Sequence, residues 1–159
     1  MKTQLLSLVA LGLVSTAALA PVAQAQTAPD YNYVGVGVGV GDLGDSDLGL
    51  AVNSKLAIGS NVSLRPGAIS DLDFTSDGET AFHVPITYDF NAVTPDGKLF
   101  PYAGAGVAVT TGEDSDVGPL LTAGLDYRVT DKVTFNGAVN WSLYDDSRVN
   151  GVVGLGYTF

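Results

Sequence analysis

From Tyr31 to the end of the chain, side-chain character alternates with a period of two, in eight segments separated by turn or loop signals. Alternate residues of a strand point to opposite sides, so the pattern reads as β-strands with two chemically different faces. The first segment, Tyr31 to Gly41, shows it most plainly. Val34, Val36, Val38 and Val40 share one face, and Gly35, Gly37, Gly39 and Gly41 share the other. Glycine is a poor strand residue, so a face left bare needs a reason. Close approach of other groups inside a tight barrel supplies one.

The remaining seven segments follow the same rule. Leu48 to Ala57 sets Leu48, Leu50, Val52 and Leu56 together, and Val62 to Ile69 follows the Gly59-Ser60-Asn61 turn. Thr80 to Phe90 aligns Phe82, Val84, Ile86, Tyr88 and Phe90, and ends before Pro95-Asp96-Gly97, a turn by its φ preferences. Leu99 to Thr111 sets Ala103, Ala105, Val107 and Val109 against Tyr102, Gly104, Gly106 and Ala108. Val117 to Val129, Val133 to Tyr144 and Val149 to Phe159 complete the set. A membrane-spanning strand needs about 9–11 residues at a steep tilt, and eight is the smallest strand number of outer-membrane barrels.

Which face looks outward decides the class. The polar face is mostly Gly, Ala, Ser, Thr, Asn and Tyr, and its ionisable members are only Lys55, Arg65, His83, Asp89, Asp126 and Arg128. Charged residues make up 15% of the chain, against about 25% in an ordinary soluble domain. So few charges suit a narrow interior better than a solvated surface, because eight strands enclose just enough room for side chains to fill. The apolar face then meets lipid. Its aromatics support this: Tyr88, Phe90, Tyr127, Phe135, Tyr157 and Phe159 fall near one set of strand ends, and Phe82 and Trp141 near the other. Two belts are what the two interfaces of a bilayer select.

Residues 1–25 are read as a secretory signal peptide. Lys2 supplies the positive start, Leu5 to Ala20 the apolar stretch, and Ala23-Gln24-Ala25 the small-x-small cleavage site. The expected division is therefore residues 1–25 as leader and 26–159 as one barrel domain. The chain has no cysteine, which removes disulfides, thiolate zinc sites and a cysteine nucleophile together. Its formal net charge of −10 argues against nucleic acid as a partner. Of the 17 acids, 12 fall in the four loops at the end away from the termini, opposed there only by Arg148. With an even strand number both termini share one end. That end is expected to be periplasmic, since the chain arrives from that side.

The leader, the eight alternating strands and the closing Tyr157-Thr158-Phe159 resemble the small OmpA-type bacterial outer-membrane β-barrel family. Pro101-Tyr102-Ala103-Gly104-Ala105-Gly106 and Val84-Pro85-Ile86-Thr87-Tyr88 are similar to strand segments common in it. The resemblance implies an eight-stranded antiparallel up-and-down transmembrane barrel in the outer membrane, bathed in outer-membrane lipid and handled by periplasmic chaperones. It also implies that Val153, Leu155, Tyr157 and Phe159 form an assembly signal for the outer-membrane insertion machinery. The chain stops at the barrel, so the peptidoglycan-binding domain of longer relatives, and cell-wall tethering with it, are not carried over.

Catalysis finds little material. His83 is the only histidine, and Asp89 on the same face lies about 20 Å away at a rise of ~3.3 Å per residue. Interior serines, Ser54, Ser63 and Ser142, leave a Ser-His-Asp arrangement across strands as the one catalytic alternative. There is no nucleophile elbow, phosphate loop or metal-spaced cluster. The sequence thus reads as a non-enzyme without a cofactor. The interior ions suit a cross-barrel network, with Lys55 and Arg65 opposite or diagonal on neighbouring strands and Asp89 and Asp126 between them. The same six residues would otherwise line a narrow polar pore. Asp45-Ser46-Asp47 and Asp114-Ser115-Asp116 are weak metal candidates, since neither completes a calcium loop. Pro66 and Pro85 sit mid-strand, where each deletes a ladder bond, and a local bulge is expected there, with a partly open or irregular sheet as the alternative. The expectation is a monomeric structural barrel supporting envelope integrity, with a narrow passive pore as its variant. The competing reading is a soluble secreted barrel around a small apolar ligand.

Overall fold

The computed structural model describes residues 29–43, 46–71, 78–112, 115–144 and 147–159. The leader with Ala23 and Ala25 lies outside the described residues, as do Asp45 and Asp114.

Alternation becomes strand throughout. The elements are β1 (Tyr33–Leu43), β2 (Ser46–Gly59), β3 (Val62–Leu64), β4 (Gly67–Ser70), β5 (Thr80–Asp89), β6 (Leu99–Thr111), β7 (Val117–Arg128), β8 (Val133–Ser142) and β9 (Arg148–Thr158). Each pairs antiparallel with its neighbour, and β1 pairs with both β2 and β9, so the sheet closes on itself. The short β3 and β4 lie end to end between β2 and β5 and together make a single stave, which gives a closed barrel of eight staves. Tyr33 pairs with Thr158, so both chain ends lie at one end of the barrel. The turns after β2, β5 and β7 share that terminal end. The β1–β2, β4–β5, β6–β7 and β8–β9 connections share the far end.

The faces sort as an inverted protein. Valines 34, 36, 38 and 40, Ile58, Val84, Ile86 and Leu155 are exposed on the outside, whereas Lys55, Asp89, Asp126 and Thr134 are buried within. The aromatics of the lower belt are all exposed, and Tyr88 and Phe90 meet edge to face at 5.2 Å. Inward glycines make room for large neighbours. A Cβ on Gly124 would lie 2.5 Å from the Tyr102 hydroxyl, and one on Gly156 would lie 2.7 Å from the Tyr33 ring. At the Pro95-Asp96-Gly97 turn, Gly97 takes φ +67 and donates to the Thr94 carbonyl at 2.9 Å.

At the prolines the sheet is irregular rather than bulged. No bulge forms at Pro66 or Pro85, and the one register shift of the third stave lies between Ala57 and Gly59 on β2, beside the turn. The third stave breaks at Arg65–Pro66, and pairing resumes in step on both sides: Leu64 faces Leu56 and Ile86, and Gly67 faces Asn53 and His83. The Arg65 amide donates to the Pro85 carbonyl at 2.9 Å, but Pro85 has no N–H to return. Pro66, turned the other way, has none for Ser54, whose hydroxyl donates instead to the Pro66 carbonyl at 2.8 Å. Two prolines thus concentrate their missing donors on one gap. The same logic shortens β8. Leu143 donates to Pro119 at 2.8 Å and receives nothing back, so the ladder ends at Ser142.

Candidate functional site: the barrel interior

Four of the six ionisable residues expected inside meet near the terminal end. Lys55 projects from β2, Asp89 from β5 and Asp126 from β7, and Arg65 occupies the gap between β3 and β4. The Arg65 Nη2 lies 3.0 Å from Asp89 Oδ1 and 2.9 Å from Asp126 Oδ2. The Lys55 Nζ lies 3.3 Å from Asp89 Oδ2. Two cations and two anions balance, as burial demands. The break at Pro66 leaves Arg65 at the centre of this group, and its other two nitrogens donate as well. Its Nε donates to Thr87 Oγ1 at 3.0 Å and its Nη1 to the Tyr33 hydroxyl at 3.2 Å.

Neutral groups complete the network. Thr87 donates to Asp89 at 3.1 Å, and the Ser63 hydroxyl donates to the same carboxylate. The hydroxyls of Tyr31 and Tyr33 donate to the two oxygens of Asp126, at 3.0 and 3.1 Å. The Arg65 guanidinium stacks 3.5 Å above the Tyr102 ring, a buried cation–π contact. These partners escaped the sequence reading, although parity placed Tyr31 and Tyr33 on the glycine face and Tyr102 on the inner one.

Above the network lies a cavity of about 50 Å³, large enough for a few water molecules at about 10–15 Å³ each. Arg65, Tyr33 and Tyr102 line its floor, and His83 and a belt of amides line its wall. Asn53 and Asn136 exchange side-chain bonds at 2.8 and 3.3 Å, and Asn140 accepts from Thr122 at 2.8 Å and donates to Asn150 at 3.2 Å. Leu43, Ala51, Ile69 and Val152 form an apolar layer toward the far end. At that end Glu79, just before β5, pairs with Arg148 at the start of β9 on the opposite stave.

No family model and no curated protein sequence matches the chain. Solved structures do. A designed transmembrane β-barrel aligns with a TM-score of 0.61 at 19% identity, over 85% of this chain and 100% of that one. The N-terminal β-barrel domain of Pseudomonas aeruginosa OprF aligns at 0.65 and 15% identity, over 84% and 100%. The outer membrane protein OprG of the same organism aligns at 0.60 and 14% identity, over 84% and 97%. The fold is that of an eight-stranded transmembrane β-barrel.

Within this barrel two of the expected interior ions stand apart. His83 is buried beside the cavity opposite Gly67, and its Nε2 has no hydrogen-bond partner among the described residues. Arg128 does not join Asp126. It lies at the terminal rim, 3.8 Å from exposed Asp131, with its guanidinium 5.2 Å above the Tyr31 ring. Ser54 faces outward between Val52 and Leu56 rather than inward, as its parity requires. Among the described residues no group of three His, Asp or Glu side chains is placed to hold a metal. Val153, Leu155, Tyr157 and Phe159 all point outward from β9.

Proposed function

We propose that the protein is an integral barrel of a bacterial outer membrane, and that its role is structural: a closed lumen that supports envelope integrity rather than transport. The observation that carries this reading is the inverted burial, apolar outside and ionic within. The membrane places a hydrocarbon solvent where an ordinary protein meets water, so exposed Val36, Ile58 and Leu155 cost nothing there. The lumen is filled in three layers: the ion network, the amide belt and the apolar layer around Ile69. Both termini would face the periplasm and the acidic loops the exterior. The outward residues of β9 would be read by the insertion machinery after periplasmic chaperones deliver the chain. The barrel would work as a monomer, without enzymatic activity or a cofactor.

The test has two parts. The native protein should sediment with the outer membrane and migrate faster on SDS gels unboiled than boiled. Recovery from the soluble periplasm would refute the membrane reading. In planar bilayers the refolded protein should show no steady conductance. A steady conductance abolished by Lys55→Ala or Arg65→Ala would replace the closed lumen with a narrow polar pore lined by the same residues.

A further inference from the structure

The segment before β1 does not run away from the barrel. Asn32 is the last residue on the wall, exchanging backbone bonds with Phe159 at 3.4 and 3.0 Å. Upstream of it the chain turns tightly, with the Tyr31 amide donating to the Pro29 carbonyl at 3.1 Å. The turn carries Pro29 and Tyr31 into the mouth of the lumen. Pro29 is fully buried and Tyr31 is 5% exposed, although both belong to a terminal segment outside the sheet.

The lumen grips this segment from several staves. The Lys55 ammonium donates to the Pro29 carbonyl at 2.7 Å and sits 3.5 Å from the centre of the Tyr31 ring. An ammonium has three donors. Two of its three neighbours therefore belong to the terminal segment, and the third is Asp89. The Tyr31 hydroxyl reaches Asp126, and its ring meets Phe100 edge to face at 5.3 Å. Arg128 covers the rim side of the same ring. Lys55 is completely buried as a result, although it projects near the open end of the barrel.

We propose that Pro29–Tyr31 form a stopper that closes the terminal mouth of the lumen, with Lys55 as its latch. The sheet does not need the stopper, because its ladder bonds begin at Asn32, downstream of Pro29–Tyr31. Withdrawal would leave the wall intact and open Lys55, Asp89 and Asp126 to water and small ions from that side. The inference rests on the barrel reading and adds a movable part to it.

Amine acylation of the refolded full-length mature chain in detergent micelles, read site by site by mass spectrometry, tests this. Lys98 and Lys132 lie at the same end, outside the lumen, and serve as internal references. In the full chain Lys55 should react far more slowly than Lys132. In a chain that begins at Asn32, or in Tyr31→Ser, Lys55 labelling should rise by about tenfold or more, as expected when a local closure is removed. Lys98 and Lys132 should not change. Heat-modifiable migration, checked on each sample, reports the barrel separately, so an unfolded barrel and a missing stopper give different results. If the shortened chain does not refold, Tyr31→Ser retains the whole ladder and carries the test. Lys55 still protected in a folded variant, or as reactive as Lys132 in the full chain, would overturn the proposal.

Discussion

Arg65 is the residue on which the interior depends most. It alone bridges the two buried carboxylates. Arg65→Met would leave Asp89 and Asp126 facing each other with only Lys55 to offset them. Breaking a buried pair by removing one partner costs about 3–5 kcal/mol, and denaturant unfolding in lipid vesicles should show a loss of that size. Arg128→Met is the contrast. Its partner Asp131 is fully exposed, so the pair is worth no more than about 1 kcal/mol. Packing makes a second prediction at this scale. Gly124→Ala drives a methyl against the Gly137 backbone carbonyl and into Tyr102, the ring on which Arg65 stacks. Overpacking of this kind costs about 1–3 kcal/mol, again readable as a shift in the unfolding midpoint.

At the scale of the element, Pro66→Ala and Pro85→Ala each return a donor to the gap in the third stave. The added bond is worth about 0.5–1.5 kcal/mol, offset by about 0.4–1 kcal/mol of unfolded-chain freedom that proline had removed. Net stability should therefore move little. Amide hydrogen exchange around Arg65 should slow clearly, and unchanged exchange would show that the prolines do not set the gap. The staves themselves were legible in the sequence, because alternation is a local property: β6 runs over Leu99–Thr111 as its pattern indicates. The gap was not, because nothing local states that Pro66 and Pro85 face the same point from two strands. The partner of Arg128 was not legible for a related reason. Parity tells which face a side chain takes, but its height on the barrel wall, and so its partner, follows from the closure of the whole sheet. Tyr31 shows the opposite failure: its parity fits a strand, yet the chain leaves the wall before reaching it.

On the scale of the whole molecule, the charges divide by end. The far mouth holds Asp42, Asp71, Glu79 and Asp116 among its described acids, and Arg148 against Glu79. Burial holds the Glu79 carboxyl above the ordinary 4.5 despite Arg148, and Asp42 and Asp71 push the same way. An acid so raised favours the folded state most when protonated. Its contribution is full below the ordinary value and is lost as pH rises through the raised one. Glu79→Gln should accordingly weaken the decline in stability from pH 4.5 upward relative to the parent. Thermal unfolding of both proteins across that range measures the difference, and identical slopes would remove Glu79 from the account.

The ion network draws on β1, β2, the third stave, β5, β6 and β7. Such a cluster works as a checksum on assembly. A slip of one residue in any contributing strand turns its charge or hydroxyl to the outer face, where a Lys or Arg costs from about 0–1 kcal/mol near the interface up to about 2–4 kcal/mol at the midplane. A slip of two keeps the facing but moves the group by about 7 Å, beyond hydrogen-bond reach. Only one shear lets every partner meet. A barrel zipped at the wrong offset would carry unpaired ions and have reason to come apart at the β1–β9 seam, where the first and last strands of the chain join, and try again.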